Sequence, residues 1–184
     1  MINFSGIKQE TFWGKILRFC LKFIPRQAVL PIIQGPLRGS RWIVNSGVFG
    51  YWLGSYEIEK KKSFASLIKK SDVVYDLGAH VGFYSLLAAK FTGDAGRVFS
   101  FEPLPRNIIL FRQHVMLNRI KNIKLVEAGV SDRDSFSIFE NPTKSSSVGR
   151  INDDALGISV RLVTIDSLLA KSEILPPQCN QNGY

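Results

Sequence analysis

"SDVVYDLGAHVGFYSLLAAKF", residues 71–91, decides the fold. An apolar run from Val73 to Leu77 carries a single acid, Asp76, and stops at Gly78; a second glycine, Gly82, precedes another apolar run of helical length. A strand, a turn between two glycines and a helix open a βαβ unit, in which ligands sit beyond the carboxyl ends of the strands. Gly78 permits the tight bend, and Gly82 lets the helix start close to the sheet. Two glycines alone are weak evidence, because any strand-to-helix turn favours them.

Reading downstream, the pattern alternates. A helix over 57–70 leads into a strand at 73–77, then a helix at 82–91, a strand at 97–101, a helix at 105–118 and a strand at 123–128. That order predicts βαβαβ and a parallel sheet with right-handed crossovers. "SFSIF" and "ISVRLVTI" read as an antiparallel hairpin appended to this sheet. Upstream lie a helix over about residues 10–24, a Gly/Pro-rich connection containing "QGPLRGS", a short strand at "RWIVN" and the glycine-spaced "GVFGYWLGSYE".

The acids identify the ligand. A dinucleotide would put its pyrophosphate at the helix start, where Asp76 would repel it; a ligand with an ammonium group would gain from that carboxylate. Glu102 closes the second strand in "RVFSFEP", 20 residues beyond Gly82, where a carboxylate takes both hydroxyls of a ribose. Ammonium plus free ribose describes S-adenosyl-L-methionine. The third strand runs into "VEAGVSD", where Asp132, or the Ser131 backbone beside it, can hold the adenine edge. Taken singly, Asp76 also fits a helix-capping acid and Asp132 a turn former. Three acids after three consecutive strands favour the ligand. His80 takes a loop position near it, and His114, inside "RNIILFRQHVMLNR", reads as a helix-face residue.

The chain of 184 residues is long enough for one domain with a proper core, and its 45% apolar content with 13 Phe is that of a globular protein. Net charge is +9, and its placement is uneven: residues 1–70 hold 12 Lys/Arg against 3 Asp/Glu, whereas residues 71–184 hold 12 against 12. Lys60, Lys61 and Lys62 read as a solvated helix face, since no stacking aromatics interleave with them. Cys20 and Cys179 follow no disulfide or zinc spacing, and two histidines are too few for a His-rich metal site, so no metal and a reducing, cytoplasmic setting are expected.

"FWGKILRFCLKFIPRQAVLPII", residues 12–33, is interrupted by Lys15, Arg18, Lys22, Arg26, Pro25 and Pro31, so it cannot span a bilayer as one apolar helix. Its basic residues recur at steps of 3, 4 and 4, a stripe along one helix face. An ordinary helix capping a domain has this pattern; so does one lying on a membrane surface, which leaves peripheral membrane contact open.

The stretches "YWLGSYE", "VVYDLGAHVGFYSLLA", "GRVFSFEPLPRN", "LNRIKNIKLVEAGVSD" and "VRLVTIDSLL" resemble the FkbM-type family of S-adenosyl-L-methionine-dependent methyltransferases in order and spacing over about residues 50–169. The resemblance implies a Rossmann-like class I methyltransferase fold, O-methylation of a sugar or small metabolite, and cofactor contacts at Asp76, Gly78, Gly82, Glu102, Asn107 and Asp132. His80 stands where that family usually has Asn, so imidazole replaces an amide. Tyr56 and Glu57 belong to the family pattern without an assigned role, and no residue is singled out as the base. The expected division is a basic helix and connection over 1–50, then a partial methyltransferase domain over 51–184.

After "VTIDSLLAKSEILPP" the family pattern continues with an apolar strand, whereas this chain reads "QCNQNGY". Suitable codons for Pro177 through Tyr184, read one nucleotide later, can spell Asn-Val-Ile-Lys-Met-Asp, the beginning of such a strand. The expectation is therefore a C-terminally truncated chain whose Val73–Leu77 strand becomes a bare sheet edge with an uncovered face, marginal in stability and inactive. Downstream DNA whose shifted frame did not continue into Glu-Gly-Ala-Glu or similar would remove the frameshift idea. Three functions compete. The leading one is a methyltransferase acting on a small-molecule or carbohydrate acceptor. The second is a non-catalytic remnant that binds cofactor or a partner. The third is a nucleic-acid methyltransferase, disfavoured because no Asn/Asp-Pro-Pro-Tyr run is present and the cofactor half is neutral.

Overall fold

A computed structural model describes residues 23–25, 27–140 and 157–177. The helix expected over 10–24 falls almost wholly outside them, as do both cysteines and the "QCNQNGY" tail.

Three parallel strands form the centre. β3 (Val73–Leu77), β4 (Arg97–Phe101) and β5 (Ile123–Val126) lie in that order, and their register sets Leu77 beside Phe101 and Phe101 beside Val126. Val, Leu and Phe supply most of the apolar positions in these runs, and the middle strand β4 is buried from Val98 to Phe101, as a strand covered on both faces must be. The strand ends, and the loops that follow them, therefore converge on one edge. Helices α3 (Phe83–Thr92) and α4 (Pro105–Leu117) connect the strands as expected. α4 opens with proline at its first position, where the missing N–H costs nothing.

Ahead of the sheet, β1 (Val29–Pro31) pairs antiparallel with β2 (Arg41–Ile43), the strand expected at "RWIVN". The aromatic stretch forms α1 (Phe49–Leu53), which stops at Gly54 in the left-handed region; α2 follows at Ile58–Leu67. The helix expected to reach residue 70 ends earlier because Ile68 turns extended and Asp72 accepts the Lys69 N–H at 2.7 Å.

Side chains from both sides of residue 50 share one core. Ile32, Trp42, Val44 and Trp52 pack with Val81, Phe83, Leu86 and Leu87, each side chain of this size contributing about 1.5–3 kcal/mol when fully buried. On another side of the sheet, Phe99 and Phe101 meet Ala128, Val163, Leu168 and Ile174. The face expected to be bare is covered in this way by α5 (Ile165–Ala170) and Ile174. The edge of β3 is also approached, for the Tyr75 hydroxyl donates to the Leu175 carbonyl. Among the described residues β3 pairs with β4 alone.

Two further expectations change. The third strand ends at Val126 instead of 128, because the chain bends there (Ala128 N–H to Val126 carbonyl, 2.9 Å) and enters a separate sheet. That second sheet holds the expected hairpin, β7 (Ser135–Glu140) against β8 (Gly157–Val163), and β8 pairs in parallel with β6 (Gly129–Val130) on its other side. The hairpin therefore builds its own sheet and is not an extension of β3–β5. Among the described residues no helix is long and apolar enough to cross a membrane.

Candidate functional site

A cavity of about 700 Å³ opens where β3 and β4 end. Asp76, Gly78, His80, Glu102 and Asn107, five of the seven residues expected to hold a cofactor, line it. Gly82 and Asp132 do not. Gly82 sits behind the loop at φ 90°, and a Cβ there would lie 2.7 Å from the Phe111 ring, so its absent side chain lets α3 pack on α4. Asp132 is exposed, and among the described residues it accepts the Ser131 hydroxyl at 3.1 Å, because the chain leaves the first sheet before reaching it.

The loop is tied to the next strand from below. Gly78 and Ala79 N–H both donate to the Phe101 carbonyl, at 3.0 and 2.9 Å, and the His80 N–H donates to Glu102 Oε2 at 2.8 Å. Gly78 has φ 80°, and a Cβ placed on it would meet nothing within 4 Å, so the bare backbone faces open space in the cavity wall.

Glu102 is 4% exposed. Its Oε1 accepts from the Leu104 N–H and Asn107 Nδ2, both at 3.0 Å, so with the His80 N–H three donors fix one carboxylate that lines the cavity. Asp76 Oδ2 takes the Ser85 hydroxyl at 2.5 Å, and that serine is in turn bonded by Ser100 Oγ at 2.8 Å. Burial raises the Asp76 carboxyl above its usual range, the Ser85 bond opposes this, and the Glu102 charge adds to the rise. Two acids lining one cavity favour a cationic ligand, which would offset the burial of Asp76.

An aromatic wall completes the acidic end, and sequence reasoning missed most of it. Tyr51 stacks on Phe83 with centroids 4.8 Å apart, and Tyr56 meets Tyr51 edge-on at 4.5 Å. Tyr84 donates its hydroxyl to Glu57 Oε2 at 2.7 Å, which gives Glu57 its place, and Lys60 braces the same carboxylate at 2.7 Å. Burial is the main reason that the Tyr51 and Tyr84 phenols are raised, and both stay protonated at neutral pH. Ring faces beside a carboxylate suit a positive charge. The signal was the aromatic density of "GVFGYWLGSYE". Phe139 and Leu162, which close the cavity from the second sheet, left no local signal.

His80 is the second unusual loop residue. It adopts a left-handed φ of 52°, and burial holds its imidazole below the usual histidine range, the Glu102 charge opposing and the Arg106 charge assisting. His114 is not the helix-face residue expected but is 0% exposed. Its ring stacks on Trp42 at 3.7 Å, its Nδ1 lies 2.9 Å from the Val81 carbonyl, and its Nε2 accepts the Ile43 N–H at 3.2 Å. One imidazole thus pins the ligand loop to β2. Among the described residues no group of three or more His, Cys, Asp or Glu side chains is placed to hold a metal ion.

With this geometry in hand, comparison with known proteins narrows the family. The family model of the TRM5/TYW2 methyltransferase domain matches residues 41–141. The FkbM-type expectation receives no support from this match, whereas the coarser reading as an S-adenosyl-L-methionine-dependent methyltransferase does. No curated protein matches the chain. Among solved structures, a precorrin-6y C5,15-methyltransferase from Geobacter metallireducens is 25% identical, with 40% of each chain covered and a TM-score of 0.37. P. horikoshii TYW2, in complex with MeSAdo, is 16% identical over 58% of this chain and 38% of its own, with a TM-score of 0.44. Aeropyrum pernix fibrillarin, with natively bound S-adenosyl-L-methionine, is 24% identical over 38% of this chain and 32% of its own, with a TM-score of 0.33. The chain spans two-fifths or less of the length of each of these structures.

Proposed function

Because the chain belongs to the TRM5/TYW2 methyltransferase domain family, we propose that its cavity holds S-adenosyl-L-methionine and presents the donor to a nucleophilic acceptor. The observation that carries this reading is the pairing of Asp76 and Glu102 in one cavity lining that also contains the bare Gly78 backbone. The residues fit the group: Asp76 would take the ammonium, Glu102 the ribose hydroxyls, and Asn107 keeps Glu102 oriented. Bound there, the donor supplies an electrophilic sulfonium methyl for in-line transfer. The chain's own contribution is alignment and the exclusion of water, and the aromatic wall of Tyr51, Tyr56 and Phe83 serves the second.

For the acceptor we favour a nucleic acid. The family match supports it, and so does the excess of positive charge in residues 1–70, since phosphate contacts are made by Lys and Arg. A hydroxyl on a sugar or small metabolite is the second reading, supported by the motif resemblance and by the apolar cavity wall of Phe139 and Leu162. One experiment separates them. Donor carrying a labelled methyl is incubated with the protein and either unmodified tRNA or a panel of free sugars and hydroxylated metabolites. Label in acid-insoluble RNA supports the first reading, and label in the small-molecule fraction the second. Absence of donor binding by calorimetry refutes both.

A further inference from the structure

Building on the reading of the cavity as a methyl-donor site, we infer that His80 and Arg106 form a subsite for an oxyanion beside it. Arg106 is the second residue of α4, next to Asn107, whose amide holds Glu102. Its Nε and Nη2 are shut off from water and have no hydrogen-bond partner among the described residues. Those two nitrogens form the side-on edge of the guanidinium, a pair of parallel donors that matches two oxygens of a carboxylate or phosphate. Both ring nitrogens of His80 are in the same condition. Both residues flank Glu102: the His80 N–H donates to its Oε2, and Arg106 immediately precedes Asn107, whose amide donates to its Oε1.

The nearby carboxylate does not satisfy them. Glu102 spends its bonds on the His80 and Leu104 N–H groups and on the Asn107 amide. Buried guanidinium donors are stable only when an acceptor faces them, and three unpartnered donors, two on Arg106 and one on a neutral His80, call for a group rich in oxygen. The arrangement divides the work. Arg106 supplies the charge and the fork, and a neutral His80 supplies one donor. His80 lines the cavity, as do Leu104 and Asn107 on either side of Arg106 in the chain, so the anion belongs to what enters there. Its chemistry is a carboxylate or a phosphate, and the two sources are the donor's own α-carboxylate and a phosphate carried by the acceptor.

The chain has two histidines, so imidazole NMR on the full chain reads the site directly, with buried His114 as internal reference. Wild-type protein is titrated with S-adenosylhomocysteine, with its decarboxylated analogue, and with inorganic phosphate in the presence and absence of the first. A His80 shift that needs the carboxylate, with Arg106→Gln weakening S-adenosylhomocysteine by roughly tenfold or more and sparing the analogue, assigns the donor's carboxylate. A saturable shift with phosphate that Arg106→Gln abolishes assigns the acceptor's phosphate. If His80 ignores both anions, or if Arg106→Gln retains both responses, the subsite does not exist. Should Arg106→Gln fail to fold, Arg106→Lys keeps the charge, removes the fork, and is expected to weaken the same response. Loss of all donor binding with the phosphate shift intact would refute the methyl-donor reading and leave the subsite standing.

Discussion

Asp76 and Glu102 face one cavity and differ in how each is held, which makes their substitutions informative. Asp76 has one hydroxyl partner and a carboxyl raised mainly by burial, so it weakens the empty fold while serving a cationic ligand. Asp76→Asn is expected to weaken donor binding roughly tenfold or more while leaving the melting temperature unchanged or higher. A variant that binds the donor normally would remove the ammonium contact. Glu102 accepts from three donors, so Glu102→Gln is expected to cost both binding and stability, the latter by about 1–3 kcal/mol in chemical denaturation. His114 gives a pH dependence. Burial pushes its imidazole down to about 4, against an ordinary value of 6.5 in the unfolded chain, with the Val81 carbonyl bond opposing. The unfolded state therefore binds more protons between those values, and stability rises with pH across that window. The contribution is complete above pH about 6.5 and is lost as pH falls toward 4, amounting to about 3 kcal/mol at about 1.4 kcal/mol per unit. In His114→Gln the slope of unfolding free energy over this range should flatten. An unchanged slope would mean that another group titrates there.

Among the elements, the loop between β3 and α3 was the most legible. Its strand, its glycines and its acid carry their roles locally: Gly78 at φ 80° and Gly82 at φ 90° occupy backbone space that side chains resist. Gly82→Ala combines that strain with a Cβ 2.7 Å from Phe111, so it should destabilise by about 1–3 kcal/mol and loosen donor binding together. Equal binding and an unshifted denaturation midpoint would show that α3 can move away from α4 at little cost. β1 and the start of the second sheet were not legible. Val29–Pro31 is three residues long and ends in proline, and Gly129–Val130 is two residues that pair with β8 from far along the chain. Short strands of this kind are set by their partners and not by their own pattern. The burial of His114 was hidden for a related reason. Its stacking partner, Trp42, lies on a ribbon that periodicity within α4 cannot report.

Across the whole molecule, the packing joins the ribbon β1–β2, the glycine-bounded α1 and the first turn of α3 into one cluster around Trp42 and Phe83. The cavity wall is the outer surface of that cluster, since Tyr51 and Phe83 belong to both. Sequence motifs revealed the acid side of the cavity because acids after strands are a local signature; the aromatic side came from parts of the chain that only packing brings together. Ligand binding and global stability are consequently linked through shared side chains. A donor present at 100 times its dissociation constant adds about 2.7 kcal/mol to the folded state. For a chain of this size about 1 kcal/mol moves the midpoint by about 2–4 °C, so saturating S-adenosylhomocysteine should raise the melting temperature by about 5–11 °C. Asp76→Asn should show less of that rise at the same ligand concentration, whereas Phe136→Ser, at a strongly exposed side chain outside the cavity lining, should keep it in full. Equal shifts in all three proteins would place the ligand somewhere other than the end of β3.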